Sequence, residues 1–417
     1  MTGTGQHIVV VGGGVIGAAC AHYLSQAGRQ VTIVERDRFG HGCSHGNCGL
    51  VCPSHVLPLA EPGAIRGAVA SLLRKNAPLA VKPRIDPVLW KWFWKFARRC
   101  NQRDRLASGH AIQPLLESSL ELYEGLVDEG TLQCEWQKRG LLFVYRTQSA
   151  FEGYAATNQL LTETFDEPAK RFEADALAKL EPALKSGLAG GWLYESDAHL
   201  RPYVLMQSWR KHLEQSGVEI RENCEVTGVQ RSNGTATGLT TTGGELTADG
   251  FVVATGAWTP KLQRWLGCNI PIQPGKGYSI TMPRPAVCPT IPLIFPEHRI
   301  AVTPMETGYR LGSVMEFAGY DDSIPEYRVE FLKAGAAHYL QEPYCEPILE
   351  RWTGWRPMTY DSQPIIDRSP SLQNVWIATG HNMLGLSMAP GTGRLVCELV
   401  TGQSPHVDPT AYSVSRF

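Results

Sequence analysis

The sequence predicts an α/β fold whose N-terminal strand–helix–strand unit binds a dinucleotide. The β-branched run Ile8-Val9-Val10-Val11 leads directly into Gly12-Gly13-Gly14-Val15-Ile16-Gly17. A second run, Gln30-Val31-Thr32-Ile33-Val34, ends in the acid Glu35. Two later apolar runs, Gly250 to Val253 and Val375 to Ala378, also lead into Thr-Gly pairs.

Each element has a local cause. His7 to Val11 is too apolar to face water and reads as a buried parallel strand. Ala18 to Ala27 has a helical apolar pattern, with Gly28 as its C-terminal stop. Gly12 allows the tight turn. Gly14 lets a diphosphate approach the backbone amides where Val15 and Ile16 open the helix, and the helix dipole favours that negative charge. Gly17 lets the helix lie close to the strand. Glu35, about 20 residues past Gly14, can accept hydrogen bonds from ribose hydroxyls, and Arg36 adjoins it. This unit alone does not separate NAD from FAD.

The next segment does. A plain NAD domain would continue into another βα unit. Here Cys43-Ser44-His45-Gly46-Asn47-Cys48-Gly49-Leu50 follows instead. Ser44, Asn47, Gly49 and Leu50 place small, amide-bearing and apolar residues where a longer cofactor would continue. Thr255, Gly256 and Trp258 bring a second backbone to it, with Val226 as a further contact. The C-terminal strand runs into Gly380 and His381, then a Gly-rich loop carrying Gly385, Leu386 and Ser387 before a helix at Leu395 to Thr401. One extended cofactor enclosed from both chain ends fits FAD better than NAD.

Composition narrows the class. A chain of 417 residues suggests two or three domains, or one large fold with a satellite. Its net charge of -1 argues against bulk affinity for nucleic acid. Eleven scattered cysteines and the few residues before the first apolar run point to a reducing, cytoplasmic setting. No run of about 18 apolar residues predicts a membrane span. Cys43, Cys48 and Cys52 lack CxxC spacing and a fourth ligand nearby, so no metal is expected there.

The chain resembles the FAD-dependent D-amino-acid oxidase superfamily, most nearly the bacterial D-amino-acid dehydrogenases, with glycine and sarcosine oxidases more distant. The matching pieces are Val10 to Gly17, Ser44 to Ser54, Pro58 to Gly63, Lys276-Gly277-Tyr278-Ser279, Gly354-Trp355-Arg356-Pro357-Met358-Thr359 and Thr379 to Met388. They span the chain in family order. Those dehydrogenases usually carry small residues where His45 and Cys48 stand, which suggests a different substrate, such as D-proline or D-hydroxyproline. The resemblance implies a doubly wound Rossmann-type FAD domain covered by an α+β substrate domain with a mixed sheet. Local patterns place the FAD segments at 1–84, 196–266 and 346–417, and the substrate domain at 85–195 and 267–345.

The resemblance also implies chemistry. The substrate Cα–H must lie over flavin N5 with the amine neutral, and the carboxylate needs a cationic anchor. Arg356 matches the family arginine in that role, because a planar guanidinium pairs bidentately with a carboxylate. A salt bridge to Asp361 or Asp367 is the alternative. Tyr278 is expected on a strand facing the flavin, as a positioning phenol or a core residue. His45 and His381 flank flavin-contacting loops, and either could accept the substrate ammonium proton. Arg310 stands where the sarcosine-oxidase relatives carry an oxygen-activating lysine. Met358 to Asp361 holds no cysteine where those oxidases attach flavin covalently. Noncovalent FAD and a quinone or other acceptor are therefore expected. The competing readings are a glycine- or sarcosine-type oxidase and a flavin electron-transfer subunit without its own substrate.

At Pro87 to Arg99, Trp90, Phe93, Trp94 and Ala97 share one helical face, Trp92 and Phe96 widen it, and Lys91, Lys95, Arg98 and Arg99 lie opposite. Two readings stay open. One is an in-plane helix touching the inner face of the cytoplasmic membrane. The other is an aromatic stripe packed onto the substrate domain.

Overall fold

The computed structural model describes residues 5–63, 78–82 and 84–417. Residues 1–4, 64–77 and 83, all within the expected FAD segment 1–84, lie outside that description. The predicted N-terminal unit forms as a strand at His7–Val11, a helix at Val15–Gln26 and a strand at Gln30–Val34. These strands belong to a six-stranded sheet. Its order is Ile365–Arg368, Val375–Thr379, Gly250–Val253, His7–Val11, Gln30–Val34 and Glu219–Arg221. All neighbours are parallel except the Ile365–Arg368 edge. From His7–Val11 the chain adds strands in both directions, the doubly wound pattern.

The two faces of this sheet are covered differently. On one, helices Val15–Gln26, Ala389–Thr401, Gln102–Asp128 and Pro202–Gln215 close a core around Val10, Ile33, Leu115, Trp209 and Leu395. On the other, the antiparallel meander Val226–Ser232, Thr235–Thr241 and Gly244–Thr247 packs Leu239 and Leu246 against Val9, Val11 and Phe251.

The C-terminal helix begins earlier than its apolar pattern suggested. It spans Ala389–Thr401 and takes in Gly391 and Gly393, which the sequence had placed in a loop. Pro390 is tolerated in the first turn, where an N–H has no partner to lose. The glycines serve close packing: a Cβ on Gly393 would lie 2.5 Å from the Ala19 backbone, and one on Gly391 2.6 Å from Ser119 Oγ.

A second, nine-stranded sheet is mixed. Its main path runs Glu350–Thr359, Ile272–Met282, Tyr309–Phe317, Ile300–Pro304, Leu293–Phe295, Leu141–Tyr145, Gly190–Tyr194 and Lys170–Glu173, with Leu79–Val81 paired to Tyr309–Phe317. The segment 346–417 therefore divides. Glu350–Thr359 pairs along Ile272–Met282, whereas Ile365–Arg368 and Val375–Thr379 pair into the parallel sheet. Strand pairing over ten registered residue pairs, invisible in local pattern, decides this.

Candidate active site

A cavity of about 760 Å³ lies between the two sheets. One wall is the glycine turn. Gly12 has φ +111°, and a Cβ there would come within 2.5 Å of the Ala254 carbonyl oxygen. At Gly17 a Cβ would lie 1.9 Å from the Gly12 oxygen, so the helix and the turn touch backbone to backbone. Gly14 is the helix N-cap and offers no side-chain cap. A Cβ on it would meet only Ser44 Oγ, at 3.3 Å. The Ser44 hydroxyl accepts from Val15 N at 2.9 Å. Glu35 accepts from Gly13 N at 2.7 Å and Asp37 N at 3.0 Å, and each carboxylate oxygen keeps a further lone pair for a ligand hydroxyl.

Gly12, Gly14, Val15, Ile16, Glu35, Arg36, Ser44, Asn47, Gly49 and Leu50 all line the cavity. So do Val226, Thr255, Gly256, Trp258, Gly385, Leu386 and Ser387. Gly17 and Gly380 stand behind the lining; Gly380, at φ +75°, makes the turn that carries His381 into it. Asn47 shapes its loop by accepting from Gly49 N at 2.8 Å. Gly49 is left-handed, and a Cβ there would strike the Leu200 oxygen at 2.0 Å. Ser387 Oγ ties the two loops together, accepting from Cys52 N and donating to the Leu50 oxygen. At the cavity edge Arg36 stacks on Trp258 at 3.5 Å, and Trp258 stacks on Tyr320 at 4.2 Å.

The opposite wall comes from the nine-stranded sheet. Arg356 lies across Gly277, where a Cβ would be 2.4 Å from Nη1. Its Nη1 donates to the Val314 oxygen at 2.9 Å. No acid pairs with it among the described residues. Asp361 holds Arg416 at 2.8 Å, and Asp367 accepts from Ser413 Oγ and Val414 N, which removes the alternative pairings. Burial pulls the guanidinium below its usual pKa. A desolvated cation of this kind favours an anionic ligand.

Tyr278 also lines this wall. Its hydroxyl donates to Glu316 at 2.7 Å, and burial, with Glu316, raises its pKa, so it stays a neutral phenol.

The histidines fall differently. His381 lines the cavity, but its Nε2 shares a hydrogen bond with Thr392 Oγ1 at 3.0 Å. Burial lowers its pKa to about 3, so the ring is neutral near pH 7. His45 is not among the lining residues: its Nε2 meets Glu350 at 2.5 Å, drawn out of the cavity by that carboxylate. Glu350 also binds Arg310, which is buried and donates to the Asn47 oxygen at 2.7 Å. Arg310 thus braces the Ser44 to Leu50 loop from behind and is not on the cavity surface. The cavity is also lined by residues to which sequence reasoning assigned no site role, among them His41, Trp352 and Met383, and Cys52 and His55, whose three-residue spacing around Pro53 was visible.

The glycine cradle, the uncapped helix start and the length of the lining fit an extended dinucleotide such as FAD, held by the turn, Glu35 and the 44–50 and 385–387 loops. Comparison with known proteins agrees. The family model for FAD-dependent oxidoreductases of the DAO type matches residues 7–399. A D-amino acid dehydrogenase of Bradyrhizobium diazoefficiens is 30% identical, covering 98% of each chain. One of Xanthobacter autotrophicus is 32% identical, covering 99% of each. Among solved structures, glycine oxidase from Geobacillus kaustophilus superposes with a TM-score of 0.81 at 21% identity, covering 99% of each chain. L-proline dehydrogenase from P. horikoshii does so at 0.73 and 20%, covering 99% of this chain and 98% of the other. The cradle for an extended dinucleotide and the whole-chain family match lead to one conclusion: this chain belongs to the DAO family of FAD-dependent oxidoreductases.

Proposed function

We propose that the protein dehydrogenates a D-amino or D-imino acid, for which noncovalently bound FAD would take the hydride from the substrate Cα at N5. The carrying observation is Arg356, a buried guanidinium on the cavity wall without a carboxylate partner among the described residues. Its part is to hold the substrate carboxylate and so fix the Cα–H direction. The bound flavin supplies the two-electron acceptor. The parallel sheet serves as the cofactor part of the molecule and the nine-stranded sheet as the substrate wall, with Tyr278 as a neutral surface there. Neither His45 nor His381 is assigned the ammonium proton: one is held by Glu350, the other kept neutral by burial. The names of the relatives support the D configuration. An imine so formed hydrolyses to a 2-oxo acid where water can add.

The test is anaerobic bleaching of the flavin across a panel of D- and L-amino and imino acids. D-amino or D-imino acids should bleach it, and Arg356→Ala should not respond. Bleaching by L-acids alone, or near-normal rates in Arg356→Ala, overturns the reading. A flavin that no panel member reduces favours the electron-transfer subunit.

Electrons then pass to a quinone or similar acceptor, and helix Pro87–Arg99 touches an anionic membrane surface. The support is exposure. Leu89 and Trp92 are buried against Phe317 and Met358, while Trp90 and Trp94 remain 53% and 57% exposed beside Lys91 and Arg98. Aromatic rings beside cations suit a headgroup region. No helix among the described residues is long and apolar enough to cross a membrane. Sedimentation with anionic vesicles, weakened by salt and lost in Trp90→Ser/Trp94→Ser, checks this. Rapid reoxidation by oxygen would replace the quinone with an oxidase reading.

A further inference from the structure

We propose that Cys52, His55 and Asp197 form a three-ligand site for a divalent transition metal of the zinc class, with its fourth position open to the cavity. The donor atoms of these three side chains lie within 4.8 Å of one another. Zinc–ligand bonds of about 2.0–2.3 Å place tetrahedral ligands roughly 3.3–3.8 Å apart, so movements of about 1 Å complete the geometry.

The fold explains the convergence. Cys52 is the extended N-cap of the short turn at Pro53–Val56, and His55 N donates back to the Cys52 oxygen at 3.2 Å, which keeps the two residues together. Leu50–Val51 pairs antiparallel with Ala198–His199, Val51 opposite Ala198, so the next position sets Cys52 against Asp197. Ser54 then orients the carboxylate, donating from Oγ at 2.6 Å and from N at 3.1 Å. A ligating carboxylate that is itself hydrogen-bonded is the usual arrangement at metal sites.

Three chemical features fit. Thiolate, imidazole and carboxylate together suit zinc or cobalt rather than magnesium or calcium. Asp197 is fully buried, while Cys52 and His55 line the cavity, so an approaching ion enters from that side. Charge also fits. A thiolate and a carboxylate together offset a dication, with the Cys52 proton released to solvent and His55 binding through a neutral ring. Cys43 and Cys48, the sequence-near thiols where no metal was expected, are not in the cluster.

The experiment uses chelator-treated holoenzyme dialysed against zinc chloride, with bound metal counted by elemental analysis. One zinc per chain is expected. Cobalt(II) should give ligand-field bands to the red of the flavin absorption, with a thiolate signature. Cys52→Ser and His55→Gln should each abolish stoichiometric binding while flavin absorbance shows that the fold is kept. Ser54→Ala should weaken binding about tenfold. Absence of binding in the wild type overturns the proposal. So does binding that persists in both ligand variants, which would place the metal at another histidine pair such as His22–His212 or His298–His338. Because the readout is bound metal, its failure is separate from failure of the proposed dehydrogenation.

Discussion

The two walls of the cavity are built in opposite ways. The core of the cofactor wall grows from near neighbours, since Gly13 meets Glu35 and Val15 meets Ser44 across fewer than thirty residues, while Ala254 and the 385–387 loop close on it from far along the chain. The opposite wall, proposed above to face the substrate, is assembled from strands distant in sequence, Ile272–Met282, Tyr309–Phe317 and Glu350–Thr359, and Arg356 lies where a Cβ on Gly277 would stand 2.4 Å from its Nη1. The first wall is rigid where backbone meets backbone. The second depends on one cation lying flat across a neighbouring strand. Damage to the first should therefore remove the fold and the flavin together, while damage to the second should spare the flavin and remove the substrate.

The largest effect tests the first half of that statement. Gly17→Val places atoms where the Gly12 carbonyl already stands, at 1.9 Å from the Cβ position. A loss of more than about 3 kcal/mol in stability is expected, with colourless protein. Thermal unfolding and flavin absorbance check it, and a yellow, stable variant breaks the contrast.

Arg356→Ala comes next. It should lose roughly 3–5 kcal/mol of transition-state stabilisation with flavin content barely changed. Arg356→Lys should mainly weaken substrate binding, because an ammonium cannot reproduce the fork.

His381 tests whether the C-terminal loop behaves as part of the cofactor wall. Its folded pKa, about 3, lies below the ordinary 6.5. Between those values the unfolded chain binds more protons, so the His381 contribution is full above about pH 6.5 and falls as pH drops. About 2 kcal/mol of stability should go between pH 7 and 5, and His381→Gln should lack that part of the slope. Unfolding midpoints of both proteins across this range measure it.

A finer probe is Gly277→Ala. The added methyl would sit 2.4 Å from Arg356 Nη1 and must push the guanidinium aside. A rise in KM of about tenfold, equal to about 1.4 kcal/mol, is expected with flavin intact. An unchanged KM would show that Arg356 need not lie across this strand. The smallest stability effect belongs to Trp90→Ser/Trp94→Ser, within about 0.5 kcal/mol per site, because both rings already face solvent. Any larger change in unfolding midpoint would mean that the exposed face carries packing.

Much of this was legible in the residues alone, because it rests on contacts close in sequence. Strand, glycine turn, helix, strand and acid declare themselves through local dihedral needs and apolar period. The Ser44 to Leu50 loop and the two Thr-Gly strand ends pointed to FAD for the same reason. Arg356 was recognisable through its family motif. What tertiary structure decided is which distant groups share a space. Glu350 takes His45, although the two lie 305 positions apart. Arg310 turns to the back of a loop 263 positions away. Trp92 packs inward while Trp90 and Trp94 stay exposed, because Phe317 and Met358 cover only one side of that helix. Cys52 meets Asp197, far along the chain, through the pairing of two short strands. Local sequence carries backbone preference and hydrophobic period; strand register and burial are set by the whole chain closing on itself.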